Sequence, residues 1–153
     1  MKVKRPFRVA MFSIKFLLSI TICLLFTTTV FAQEESASEL TDKAMELYQQ
    51  EKYSEAFKML KKALEVNKKN LGPDHPDVSD SMFYLAQLYS SQGKYTEAEP
   101  LYKQALVIRV KHSGPDDSSV ANILESMAYF YKVTGNSDEE IKVRERLEKI
   151  RSN

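Results

Sequence analysis

His75 stands between Asp74 and Asp77 in the stretch LGPDHPDV, residues 71–78. An imidazole beside two carboxylates is raw material for a metal site or for acid–base catalysis. The chain itself argues against both. A second version of the stretch, SGPDDSSV at 113–120, puts Asp117 where His75 was. The turn is therefore built without histidine, and its shared residues serve the backbone: glycine to end a helix, proline because it cannot continue one, and a polar side chain to cap the next. His112 has no clustered ligand near it in sequence and reads as a solvated residue close to a helix end. There is no glycine-rich phosphate loop, no nucleophile motif and no inward-facing carboxylate pair. The sequence thus predicts no catalytic residue, no metal site and no cofactor.

Gly72 and Gly114 are 42 residues apart, and the elements around them keep that offset. Tyr53-Ser54-Glu55-Ala56 matches Tyr95-Thr96-Glu97-Ala98, and 11 of 26 positions agree between residues 53–78 and 95–120. Ala44, Ala86 and Ala128 share one column; Gly93 and Gly135 share another, where the first unit has Glu51. Between these marks the apolar residues recur at three-and-four spacing, as in Leu40, Ala44, Leu47 or Val120, Ile123, Leu124, Met127, so six amphipathic helices are predicted and no strand. Small residues let two helices of a pair approach, and large ones fill the space between pairs. Gly72 and Gly114 are expected in the left-handed conformation. His75 or Asp74, and Asp117 or the serines after it, are the predicted caps. Thr96 with Glu99 has the spacing of a capping box, which would leave Pro100 costing one early hydrogen bond.

The first 32 residues are of a different composition. Lys2, Lys4, Arg5, Arg8 and Lys15 precede an uncharged run from Phe16 to Phe31 that ends at Ala32. A basic start, a 16-residue apolar stretch and a small exit residue predict a secretory signal peptide cleaved after Ala32, the alternative being an uncleaved membrane anchor. Cys23 is the only cysteine, and the bulky Ile22 before it does not suit lipidation. Of the 22 basic residues five lie in this leader, and none of the 21 acidic ones does, so residues 33–153 carry 17 against 21, a net charge of −4. That argues against nucleic acid or an anionic membrane surface as the partner, because both reward a basic face. Without its leader the chain has no thiol, which suits an oxidising compartment.

The phrases LGPDHPDV, YLAQLYSSQGKYTEAEPLYKQAL and YFYKVTGN resemble the tetratricopeptide repeat, in the 42-residue form similar to that of kinesin light chains and many bacterial repeat proteins. The resemblance implies an all-α fold: three helix-turn-helix hairpins stacked as a short right-handed α-solenoid. The domain would span residues 37–153 after a short polar linker at 33–36, with repeats at about 37–78, 79–120 and 121–153. In the third unit Glu140 and Arg144 replace the alanine and large apolar residue of the pattern. The helix DEEIKVRERLEKIRSN is charged on most of its surface, with Asp138–Lys142, Glu140–Arg144 and Glu145–Lys149 spaced for ion pairs. A polar closing helix and three repeats predict a small complete domain.

By the same resemblance, the first helix of each pair lines a concave groove that holds a protein or peptide segment. The groove positions are Thr41, Met45 and Tyr48 in the first unit, Asp80, Phe83 and Gln87 in the second, and Asn122, Glu125 and Tyr129 in the third, with Lys132 at the rim. Thr41 and Met45 occupy two places where some members carry a lysine and asparagine clamp for a C-terminal carboxylate, so that clamp is not expected. An aromatic, mildly acidic groove suits an apolar or basic segment, with Phe83 and Tyr129 as anchors. The predicted function is an exported adaptor, periplasmic or extracellular, that catalyses nothing. The alternative is an inner-membrane-anchored assembly subunit of an envelope complex, which touches the membrane only if the leader is retained.

Overall fold

The computed structural model describes residues 35–152. The predicted signal peptide, its cleavage point and the alternative anchor lie outside the described residues. Within them the chain forms six helices: α1 (Ala37–Gln49), α2 (Tyr53–Leu71), α3 (Pro76–Ser91), α4 (Tyr95–Ser113), α5 (Ser118–Thr134) and α6 (Ser137–Ser152). They pair as α1/α2, α3/α4 and α5/α6, and each pair packs on the next through α2 against α3 and α4 against α5. None of the described helices is long and apolar enough to cross a membrane.

The turn inside each pair is the same motif three times. Lys52, Lys94 and Asn136 each donate a backbone N–H to the carbonyl five residues back, at 2.9 Å in every case. The residue before each one, Glu51, Gly93 or Gly135, donates to the carbonyl three back. This doubly bonded ending needs a residue with positive φ. Gly93 and Gly135 supply it at 71° and 74°, and Glu51 is held at 60° although it has a side chain. The turns between pairs differ from the sequence expectation. Gly72 and Gly114 have positive φ, 89° and 92°, but ψ of 161° and 164°. They sit not in the left-handed helical region but in the extended positive-φ region, which is open essentially to glycine alone.

Four helices start on a side-chain cap, the last of them α6, where Asn136 Oδ1 accepts the N–H of Glu139 at 3.4 Å. Ser36 and Glu39 form a reciprocal capping box at α1, His75 Nδ1 accepts the N–H of Asp77 at α3, and Asp117 accepts that of Ser119 at α5. The box predicted for Thr96 and Glu99 is not formed. Helix α4 starts two residues earlier than that box requires, at Tyr95, and its N-cap Lys94 offers no acceptor. Glu99 instead accepts from Lys103 and from the Tyr131 hydroxyl. The predicted partner of Lys142 also changes: Lys142 bonds Glu139, at 2.6 Å, rather than Asp138. Glu140–Arg144 forms as expected.

Two apolar clusters hold the pairs together, and α3 feeds both. Leu85 and Leu88 join Ala44, Ala56 and Leu60. Met82 and Ala86 join a larger cluster with Tyr102, Ile123, Leu124, Phe130 and Tyr131. Ala44 and Ala86 are fully buried and Ala128 is nearly so, as close helix approach requires. Helix α6 is apolar on one narrow side only, where Val143 and Leu147 are buried.

Candidate functional site

The first helices of the three pairs share one side of the stack, and between them lies a depression of about 670 Å³. Its walls come from Met45 and Tyr48 of α1, Tyr84 and Gln87 of α3, and Glu125, Ser126 and Tyr129 of α5. The second helices show through at the floor, where α4 contributes Tyr95 and Tyr102. Five of the eight tyrosines therefore surround one space. Gln87 Nε2 approaches Ser126 Oγ at 3.5 Å and links two walls.

The tyrosines are positioned by ring contacts. Tyr102 is almost wholly buried, with Phe83 and Phe130 at centroid distances of 6.0 and 5.6 Å. Tyr95 stands edge-on to Phe130 at 5.8 Å, and Tyr48 edge-on to Tyr53 at 5.4 Å. Such arrangements hold aromatic rings in fixed orientation. Burial, and to a lesser degree the neighbouring Tyr48, pushes the Tyr102 hydroxyl well above the ordinary tyrosine range, so it keeps its proton and can donate. Tyr129 is the most open of the five, at 68% exposure.

A second, smaller depression of about 250 Å³ lies towards the start of α1 and α3, lined by Thr41, Asp42, Asp77, Asp80 and Tyr84 among others. Tyr84 borders both spaces, and we refer to the two depressions together as the groove. Asp80 is ion-paired with Arg109, whose guanidinium also donates to the Pro76 carbonyl. Thr41 Oγ1 is bonded within its own helix, to the Ala37 carbonyl at 2.8 Å.

Of the residues predicted from sequence, Met45, Tyr48, Gln87, Glu125 and Tyr129 come together around the larger depression, and Thr41 and Asp80 line the smaller one. Asn122 and Lys132 are exposed and line neither. Phe83 lines neither depression. It shares a repeat column with Thr41 and Glu125, but its apolar ring lies 6.0 Å from that of Tyr102 and packs against the core. Its neighbour Tyr84 takes the wall position instead. Sequence reasoning missed Tyr84, Tyr95 and Tyr102. A signal existed in the 42-residue columns: Tyr102 falls in register with Leu60, and both reach the floor of the depression.

His75 shows what became of the residues that could have done chemistry. Its imidazole caps α3 and lies 3.7 Å from the Asp77 carboxylate, while Asp74 is drawn away to Lys111 at 2.5 Å. Among the described residues no group of three or more His, Cys, Asp or Glu side chains is placed to hold a metal ion.

A stack of helical hairpins with its first helices around an aromatic groove is the architecture of a repeat scaffold. Residues 35–109, which hold α1 to α3 and most of α4, match the family model described as the tetratricopeptide repeat. Among solved structures the chain is similar to BtubC (BKLC) from P. vanneervenii, with a TM-score of 0.75 and 19% identity over 95% of this chain. It is also similar to the nearly identical TPR-like repeats described as kinesin light chain from Podosopora anserina, with a TM-score of 0.70 and 23% identity over 79% of this chain. The chain spans 59% and 58% of those two structures. Identities of this size establish the shared fold. No curated protein matches the sequence.

Proposed function

We propose that this chain is an adaptor that holds a segment of another protein in its tyrosine-lined groove and carries out no reaction. Tetratricopeptide repeats mediate protein–protein association as a family. The observation that carries the reading to this groove is the gathering of five tyrosines from successive hairpins around one open space. Tyrosine combines a large apolar face with a hydroxyl at little entropic cost, and such residues dominate binding where interfaces bury them. Tyr129 adds nothing to the core at 68% exposure, so the fold does not account for it. A photo-crosslinking residue placed at Tyr129 should form an adduct with a partner segment in producing cells. The same residue at Val107, exposed on α4 and outside both depressions, should form none. Adducts at Val107 alone would move the working surface to the other side.

Export belongs to the same proposal and is supported by the leader composition: five basic residues, an uncharged run and Ala32 at its exit. Intact mass of the native protein tests it. A species beginning at Gln33 supports export with cleavage. A species retaining Lys2 in the membrane fraction overturns it in favour of an anchored assembly subunit.

A further inference from the structure

The charged side chains that line the groove carry one sign. Asp42, Asp77, Asp80 and Glu125 line its two depressions, and no lysine or arginine does. Two of the four retain unspent charge. Asp42 is exposed and has no ionic partner among the described residues, and the Asp77 carboxylate meets only the His75 imidazole. Glu125 pairs with Arg151, but both side chains are about half exposed or more, and a pair of that kind is weak and exchangeable. The aromatic faces add to this charge, because the face of a tyrosine ring is itself electronegative and attracts ammonium and guanidinium groups. At the floor, Tyr102 is only 3% exposed, and burial keeps its hydroxyl protonated. It can donate to an incoming carbonyl.

An acidic or phosphorylated segment would bring its charge against four carboxylates and several ring faces with no lining cation to receive it. We infer that the groove selects a cationic extended segment, with arginine or lysine side chains seated between the tyrosine faces and Asp42, Asp77 and Glu125, and a main-chain carbonyl accepting from Tyr102. This inference rests on the groove being the docking surface and adds to it the chemistry of the occupant.

The test uses three labelled peptides, each a tripeptide repeated four times: Arg-Pro-Leu, Gln-Pro-Leu and Glu-Pro-Leu. Fluorescence anisotropy should show the arginine peptide binding at least about tenfold more tightly than the glutamine one, with the glutamate peptide weakest. Added salt should weaken the arginine peptide. Asp42→Asn with Glu125→Gln should reduce its affinity about tenfold, while Glu145→Gln with Glu148→Gln, the same charge change on exposed positions of α6, should alter it less than about twofold. Tyr129→Ala, at an open position that folding does not need, should also weaken binding. If the glutamine or glutamate peptide binds as well and still depends on Tyr129, the charge inference is overturned and the groove stands. If the arginine peptide ignores Tyr129 and responds equally to both charge pairs, binding is non-specific and both readings fall. Absence of any binding by the arginine peptide overturns the inference outright.

Discussion

The junction between the first and second helical pairs and the junction between the second and third come from the same repeat, yet they are held differently. At the first, α2 meets α3 through alanines, leucines and a single cross-junction ring pair, Phe57 edge-on to Tyr89 at 4.9 Å, with a buried polar contact: Asn67 Nδ2 donates to Ser81 Oγ at 3.0 Å and to the Asp77 carbonyl at 3.1 Å. At the second, α4 meets α5 through Tyr102, Phe130 and Tyr131, whose rings meet tilted at 5.6 Å and edge-on at 5.3 Å. The repeat dictates where helices touch, and what fills the space between pairs is left to vary. Here the variation has a functional consequence. The aromatic junction is continuous with the groove, because Tyr95 and Tyr102 belong to both. The wall carrying Met45 and Tyr48 stands on the lighter junction.

The largest effect should come from the aromatic junction. Phe130 is buried and touches Tyr95, Tyr102 and Tyr131, so Phe130→Ala should cost about 3–5 kcal/mol. Leu60→Ala at the lighter junction borders the groove and should cost less. Equal urea midpoints for the two variants would erase the distinction.

Ala86→Leu tests the helix that serves both sides. Ala86 is fully buried, and overpacking it should cost about 1–3 kcal/mol, whereas Ser91→Leu on an exposed position should change the melting temperature little. Equal thermal midpoints would contradict the placement of α3 at the centre.

Alkaline pH should sharpen the comparison further. Burial raises both Tyr102 and Tyr131 above the ordinary tyrosine value of about 10, with Glu99 adding its charge to the second. A folded-state pKa raised above the unfolded one gives stability that is complete below about pH 10 and lost as pH rises beyond it. Denaturant midpoints should therefore fall above that pH, and changing both residues to phenylalanine should flatten the fall. The first pair buries no tyrosine, so a fall that survives both substitutions would detach the effect from the second junction.

The smallest effect lies at the turn of the first pair. Glu51 holds φ of 60° where the other two pairs have glycine, and Glu51→Gly should gain about 1 kcal/mol by relieving that backbone. A lower melting temperature would mean that the Glu51 side chain contributes more than its strain costs.

The helices were legible because each carries an apolar period and a 42-residue copy, and the capping roles of His75 and Asp117 followed from the paired turns. Thr96 misled because its spacing to Glu99 fits a cap, while the chain enters α4 at Tyr95 to repeat the Tyr53 column. The groove was legible in part. Met45, Tyr48, Gln87, Glu125 and Tyr129 line it because first-helix columns share a face. Phe83 lies outside both depressions because column alone does not say whether a side chain turns outwards or onto an aromatic neighbour. Tyr102 was hidden because a second-helix residue reaches the groove only through the gap between two first helices, and no single-helix period contains that gap.

The central claim is that the tyrosine face is the working surface, and the tyrosines can report on it themselves. Ring-labelled tyrosine gives eight signals, five from the groove and three from outside it. On titration with the arginine-containing peptide, the signals of Tyr48, Tyr84, Tyr95, Tyr102 and Tyr129 should shift together, while Tyr89 and Tyr131 stay in place. Shifts at Tyr89 and Tyr131 with the five groove signals unmoved would contradict the account.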